Sequence, residues 1–82
     1  ENVYHVESHK MGHVKEINNA IIAKIARIAG APVDKGAGIY LNKRVNDIVK
    51  EKDLLYTVYA ENKVKLEMAL EYLKENNGYL IH

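Results

Sequence analysis

Lys24-Ile25-Ala26-Arg27-Ile28-Ala29-Gly30-Ala31-Pro32-Val33-Asp34-Lys35-Gly36-Ala37-Gly38-Ile39-Tyr40-Leu41 reads as the end of a helix, a stop, and a glycine-flanked loop that feeds a strand. Ile21, Ile22, Ile25, Ile28 and Ala29 fall on one face at helical spacing, while Lys24 and Arg27 lie away from it, so an amphipathic helix is predicted. Asn18 and Asn19 can each cap its start. Gly30 can take the left-handed conformation just past its end, and Pro32 stands where a helix cannot continue. Ile39, Tyr40 and Leu41 then predict a short strand.

On the N-terminal side, residues 3–7 are strand formers, Gly12 marks a turn, and residues 13–17 alternate apolar with polar at period two. Two strands joined by a turn are expected there. On the C-terminal side, Val45, Ile48 and Val49 read as short extended pieces around an Asn46-Asp47 turn, and residues 54–60 form the strongest strand pattern. Asn62 caps a second helix whose Leu66, Ala69, Leu70 and Leu73 recur at i, i+3, i+4 and i+7. That helix ends at Asn76-Asn77-Gly78, before a last strand at residues 79–81. No linker, low-complexity run or internal repeat is read, so residues 1–82 are expected to form one α+β domain with two helices.

The composition narrows the function. At 82 residues there is room for one modest core, burying roughly 60% or a little more of the unfolded surface. The first residues, Glu1-Asn2, lack a Met and a basic-then-apolar leader, which reads as a segment of a longer chain. No apolar run approaches the roughly 20 residues that span a bilayer, so no membrane partner is expected. Twelve basic and eleven acidic side chains leave a net charge near +1, too little to draw a nucleic-acid backbone. The absence of Cys removes disulfides, thiolate metal sites and Cys nucleophiles, and accords with a cytoplasmic location.

Several residue groups invite a chemical reading. Gly36-Ala37-Gly38 suggests a phosphate loop, but such loops run from strand to helix and this one runs from helix to strand. Glycines that turn the chain are the simpler account. His5, His9 and His13 recur every four residues, yet Gly12 and the flanking strand pattern argue against the helix that would align them, so no metal site is expected. Ser8 beside His9 makes no nucleophile with its base. Lys43, Arg44, Lys50 and Lys52 interleave with Asp47, Glu51 and Asp53, which reads as a solvated, internally neutralised face. Tyr56 and Tyr59 stand three apart on one strand and point to opposite faces, so one is expected inside and the other outside.

The run Arg27-Ile28-Ala29-Gly30-Ala31-Pro32-Val33-Asp34-Lys35-Gly36-Ala37-Gly38-Ile39, then Asp47-Ile48-Val49 and Leu55-Tyr56-Thr57-Val58-Tyr59-Ala60-Glu61, resembles the C-terminal domain of the thymidine and pyrimidine-nucleoside phosphorylase family. The likeness is strongest to the archaeal AMP phosphorylase branch. It implies an α/β hammerhead, a bent mixed or antiparallel sheet of barrel-sandwich type with two helices against it. It also implies a parent enzyme that cleaves an N-glycosidic bond with inorganic phosphate as co-substrate and no cofactor. AMP would give adenine and ribose 1,5-bisphosphate, and a pyrimidine nucleoside would give its base and ribose 1-phosphate. In the family, base- and phosphate-binding residues come from preceding helical and α/β domains, so no catalytic residue is expected in this segment and the segment alone should be inactive. The implied parent is cytoplasmic and homo-oligomeric.

What carries over is the loop at residues 30–38, which in the family lies toward the α/β domain, with Asp34, Lys35 and Gly36 expected to border its cleft. One departure stands out. The family's usual Gly-Asp-x-Val-x-x-Gly turn pattern has Asn46 and Lys52 in place of its glycines here, and Asn tolerates left-handed backbone better than Lys does. The Asp-x-Val pattern is also similar to lipoyl and biotinyl carrier domains, and a stand-alone interaction module is a third reading. A carrier needs a lysine at an exposed hairpin tip, and no Met-Lys-Met or Glu-Lys-Ala tip is present.

Overall fold

The computed structural model describes residues 2–82. Six strands and two helices follow in the order β1 (Val3–Glu7), β2 (Gly12–Ile17), α1 (Asn19–Ala29), β3 (Gly38–Leu41), β4 (Ile48–Val49), β5 (Leu54–Tyr59), α2 (Lys63–Glu75) and β6 (Tyr79–Ile81). The strands form two three-stranded sheets, β1-β5-β3 and β4-β2-β6. Every pairing is antiparallel, so the expected α+β hammerhead with a bent sheet stands, and its mixed option resolves to antiparallel.

One pairing ties the two sheets together. Val3 lies opposite Tyr59, Glu7 opposite Leu54, and Gly12 opposite Val49, so residues 3–14 and 46–59 run side by side across both sheets. Between the sheets the ladder persists: Ser8 N–H donates to the Asp53 carbonyl at 2.8 Å, and Lys52 N–H donates to the Ser8 carbonyl at 2.8 Å. The sheet is therefore bent, with its backbone groups still paired. The two strands expected at residues 3–17 are present with a bend between them, and each pairs with other strands in a different sheet. Ser8, almost fully buried, holds that bend by donating its hydroxyl to the Lys10 carbonyl at 2.6 Å.

The bend repeats a six-residue unit. In Arg44-Val45-Asn46-Asp47-Ile48-Val49 and in Lys50-Glu51-Lys52-Asp53-Leu54-Leu55, the aspartate accepts the first residue's N–H through Oδ2, at 2.7 and 2.8 Å. The residue before each aspartate is left-handed, Asn46 at φ 79° and Lys52 at φ 74°. Each unit closes on a partner six residues from the other, since Val14 accepts from Asn46 N–H and donates to the Asp47 carbonyl just as Ser8 accepts from Lys52 N–H and donates to the Asp53 carbonyl. Each also delivers a buried side chain, Val49 and Leu55. Val45 thus belongs to a turn, and only Ile48 and Val49 are extended. The pattern's two glycine positions keep their left-handed backbone without glycine.

The helices form for the reasons read in the sequence. Of the two asparagines Asn18 is the cap, its Oδ1 accepting from Ala20 and Ile21 N–H, while Asn19 is the first helical residue. Gly30 ends α1 at φ 128°, its N–H donating to the Ala26 and Arg27 carbonyls. Asn62 caps α2 through Lys65 N–H. Ile25 and Ala29 from α1, and Ala69 and Leu73 from α2, enter one core with Val6, Val14, Val49, Leu55, Tyr56, Val58 and Ile81. A side chain such as Ile25, fully buried, contributes about 2 kcal/mol by leaving water.

Tyr56 and Tyr59 divide as expected: Tyr56 is fully buried and Tyr59 is 41% exposed. The Tyr56 hydroxyl donates to the Asn77 carbonyl at 2.9 Å, and its ring stacks on Tyr79 at 5.6 Å between centroids. The Tyr79 hydroxyl donates to the Lys43 carbonyl at 2.5 Å, which pins β6 to the connection after β3. Burial pushes the Tyr79 phenol up to about 12, Asp47 adding to the rise and Arg44 opposing it. Tyr56 moves the same way, through burial first and Tyr79 second.

Two predictions follow from this framework. Lys52→Gly removes a Cβ from a left-handed residue at the cost of a looser unfolded chain, and should raise the unfolding free energy by about 0.5–1 kcal/mol. Asn46→Gly should change it less. Urea denaturation reads both, and a loss of stability in Lys52→Gly would contradict the assignment of strain. The phenols' raised values in the fold mean that their contribution is complete below about pH 10 and lost as pH climbs toward 12, because the unfolded phenols ionise first. Denaturation midpoints between about pH 8 and 11.5 should therefore fall less steeply in Tyr79→Phe than in the unaltered chain, and equal slopes would refute the claim.

Candidate functional site

The loop at residues 30–38 is built at one end of the β1-β5-β3 sheet. Tyr59 ends β5 opposite both Val3, which opens β1, and Gly38, which opens β3. The loop that feeds β3, the connection that leaves β5 and the entry of the chain therefore share that end. Ala60 N–H donates to the Asn2 carbonyl at 2.9 Å, and Glu61 N–H donates to the Ala29 carbonyl at 2.8 Å. Gly30 sits against this connection, since a Cβ there would lie 3.0 Å from Glu61 Cβ and 3.3 Å from Ala37 Cβ. Asp34 N–H donates to the Gly30 carbonyl, and Ala37 N–H to the Asp34 carbonyl, which closes the loop on itself.

The sequence-predicted residues occupy distinct positions in this loop. Asp34 is half-buried and its Oδ2 lies over Gly36, whereas Lys35 and Gly36 are exposed. Val33 at the tip is 93% exposed. Gly38 needs its missing side chain for backbone reasons, at φ 151°. Gly36 does not: its φ lies outside the left-handed region, and a Cβ would meet only Asp34 Oδ2 at 3.7 Å. The amides around Gly36 open no helix, so the loop lacks the helix dipole of a phosphate cradle.

The other groups weighed in the sequence stay apart. His5 lies on β1 with Nδ1 3.1 Å from the Thr57 hydroxyl, His9 lies in the bend, and His13 lies on β2 in the second sheet. Among the described residues no three His, Cys, Asp or Glu side chains gather around a point. Lys43 approaches Asp53 at 4.0 Å on a partly exposed face, a pairing of little energetic weight. An open groove of about 540 Å³ lies between β1 and the end of α2, flanked by Glu7, Lys74 and Glu75. No unsatisfied buried side-chain polar atom occurs among the described residues. No described helix is long and apolar enough to cross a membrane.

Residues 13–80 match the family described as the pyrimidine nucleoside phosphorylase C-terminal domain. The chain belongs to this family. AMP phosphorylase 2 of Archaeoglobus fulgidus is 42% identical over 81 residues, covering 99% of this chain and 16% of that relative. The AMP phosphorylase of Methanococcoides burtonii is 44% identical over 70 residues, covering 85% of this chain and 14% of the relative. That of Methanocaldococcus jannaschii is 50% identical over 60 residues, covering 73% and 12%. The chain thus spans about one seventh of the length of the curated relatives it matches.

The phosphorylase C-terminal domain also has a feature that sequence reasoning passed over. Val33 is a large apolar side chain left in water at the loop tip, and the signal was present as a lone valine between Pro32 and Asp34. The loop's seat on the β5–α2 connection is testable. Gly30→Ala forces a side chain into a left-handed residue 3.0 Å from Glu61 Cβ, and should lower stability by about 2 kcal/mol in urea denaturation. An unchanged midpoint would mean that the loop is not held there.

Proposed function

We propose that this domain serves a phosphorylase that transfers the ribosyl group of a nucleotide or nucleoside from its base to inorganic phosphate. The single observation that carries the proposal is the family match over residues 13–80, joined by relatives named AMP phosphorylase at 42–50% identity. For AMP, the bond between ribose C1′ and the base nitrogen breaks and a phosphate oxygen bonds to C1′. The base leaves with the bonding pair and takes up a proton, giving adenine and ribose 1,5-bisphosphate. A pyrimidine nucleoside would give its base and ribose 1-phosphate by the same exchange.

In this reading the chemistry belongs to preceding helical and α/β domains of the same chain, and the present segment is inactive alone. Its contribution is positional. Asp34, Lys35 and Gly36 border the cleft, where a loop held at both ends helps exclude water, so that phosphate and not water takes the ribosyl group. Inorganic phosphate is the co-substrate, no cofactor is needed, and the parent works in the cytoplasm as a homo-oligomer. The carrier alternative lacks its hairpin: β4 and β5 both run along the residue 3–14 arm, so the Lys52 turn projects no arm.

Phosphate-dependent base release from AMP, CMP, UMP, thymidine and uridine by the full-length parent tests the reading. Release from the nucleotides is expected, release from thymidine and uridine alone would move the substrate to nucleosides, and no release from any would overturn it. In the same assay Lys35→Ala should lower kcat/KM by roughly tenfold without altering the urea midpoint. If both kinetic parameters stay unchanged, the cleft-bordering role of the loop is wrong.

A further inference from the structure

Asn77-Gly78, between α2 and β6, is a chemically weak point that the fold cannot do without. An asparagine side-chain amide is open to attack by the backbone nitrogen of the next residue, and a glycine there has no Cβ to hinder the approach. Of the eight asparagines in the chain, only Asn77 precedes a glycine. The glycine is required: Gly78 is left-handed at φ 89°, and a Cβ on it would lie 3.2 Å from Ile22 Cδ1 and 3.4 Å from Ile21 Cγ2. The asparagine is used as well. Its Oδ1 accepts from Tyr79 N–H at 3.0 Å, at the start of β6, and its carbonyl accepts from the hydroxyl of the buried Tyr56 at 2.9 Å.

The same junction withholds the attacking atom. Gly78 is buried, its N–H donates to Asn76 Oδ1 at 2.8 Å, and its carbonyl accepts from Asn18 N–H at 2.7 Å. The peptide plane between Asn77 and Gly78 is thereby held from both edges, by Tyr56 at the carbonyl and by Asn76 at the N–H. Attack requires that nitrogen to give up its proton, and an amide anion formed in a buried place loses the hydration that would stabilise it. The lone pair left behind points along the former N–H bond, toward Asn76 Oδ1. Reaction therefore waits for the junction to open.

We propose that Asn77-Gly78 is a modification site, the place where this chain deamidates, and that Asn76 keeps it closed in the fold. In the reaction the Gly78 nitrogen loses its proton to a solvent base and bonds to Asn77 Cγ. The Cγ–Nδ2 bond breaks, and ammonia leaves with the bonding pair and a proton from solvent. Water then opens the five-membered succinimide with no change of oxidation state. Opening at the side-chain carbonyl gives aspartate, and opening at the Asn77 main-chain carbonyl gives isoaspartate. Isoaspartate inserts a methylene into the main chain and turns the carbonyl that Tyr56 binds into a free carboxylate, so β6 loses its register on β2. An opening of this junction that lasts long enough for the chemistry makes the loss of β6 permanent.

The full-length parent tests this after incubation at mildly alkaline pH with and without guanidinium chloride. Digestion, chromatography and mass spectrometry resolve the asparagine, aspartate and isoaspartate forms of the peptides from residues 1–82. In denaturant Asn77 should convert faster than the other seven asparagines, and in the native protein at least about tenfold more slowly than in denaturant. Gly78→Ala should suppress the conversion in denaturant, where its effect on folding does not matter. Asn76→Ala should speed native conversion about fivefold and leave the rate in denaturant unchanged. Asn62→Ala removes a cap of similar worth at the far end of α2 and should not speed it. Equal rates in the native and denatured protein would overturn the proposal, as would another asparagine leading in denaturant. Native rates that Asn76→Ala leaves unchanged, or that Asn62→Ala raises equally, would also overturn it. None of these readouts depends on base release, so the phosphorylase reading stands or falls separately.

Discussion

The antiparallel pairing of residues 3–14 with residues 46–59, carried from one sheet to the other through Ser8, is the constraint on which the rest of this fold depends. A sheet that bends sharply must either strand backbone polar groups or insert residues that keep them paired. Here the two aspartate-capped units solve the problem twice. Asp47 and Asp53 bond the N–H of the residue three positions earlier, while Asn46 and Lys52 turn their own N–H back onto the other arm. The consequence reaches the core, because the bend buries Leu55, Tyr56, Thr57 and Val58 of β5 in succession. Both faces of that strand are covered, and Thr57, the polar member, keeps a partner in His5.

The parts of the structure that were legible in the sequence are those fixed by local chemistry. Ile21, Ile22, Ile25 and Ile28 announce α1 by spacing alone, and Asn62 announces α2 by its capping oxygen. Tyr56 and Tyr59 reveal their opposite fates by standing three apart on a strand. What could not be read is what depends on distant partners. The alternation in residues 13–17 says that a strand exists, yet it cannot say that β2 pairs with β4 and β6 and leaves β1 to β5, since register is settled by contacts tens of residues away. The six-residue repeat escaped for a related reason. Arg44-Val45-Asn46-Asp47 and Lys50-Glu51-Lys52-Asp53 share only Asp in place, and a lysine in left-handed backbone carries no signal of its own. Its conformation is imposed by the Asp53 cap and by the bonds with Ser8.

The site was half legible in the same sense. The helix stop at Gly30 and the strand at Gly38 bracket the loop from the sequence, and the likeness to the phosphorylases directs attention to Asp34, Lys35 and Gly36. Exposure sorts them: Asp34 turns its carboxylate over the loop, while Lys35 and Gly36 face outward. Val33 needed the fold to be noticed. A valine beside a proline is unremarked in a sequence, and only the structure shows that no part of this domain covers it.

Under the proposed reading, the loop's build bears on why a phosphorolytic enzyme would carry such a domain. Phosphate and water are both oxygen nucleophiles, and water is everywhere, so the site must be shut against one while admitting the other. A shutter needs stiffness where it is anchored and a free surface where it meets the cleft. The bonds from Glu61 to Ala29 and from Asp34 to Gly30 hold the loop's base on the bent sheet, and the sheet in turn is held by the long antiparallel ladder. The tip, carrying Val33, Lys35 and Gly36, stays exposed. Rigidity built at one end of the chain's pairing is thereby delivered to an exposed tip.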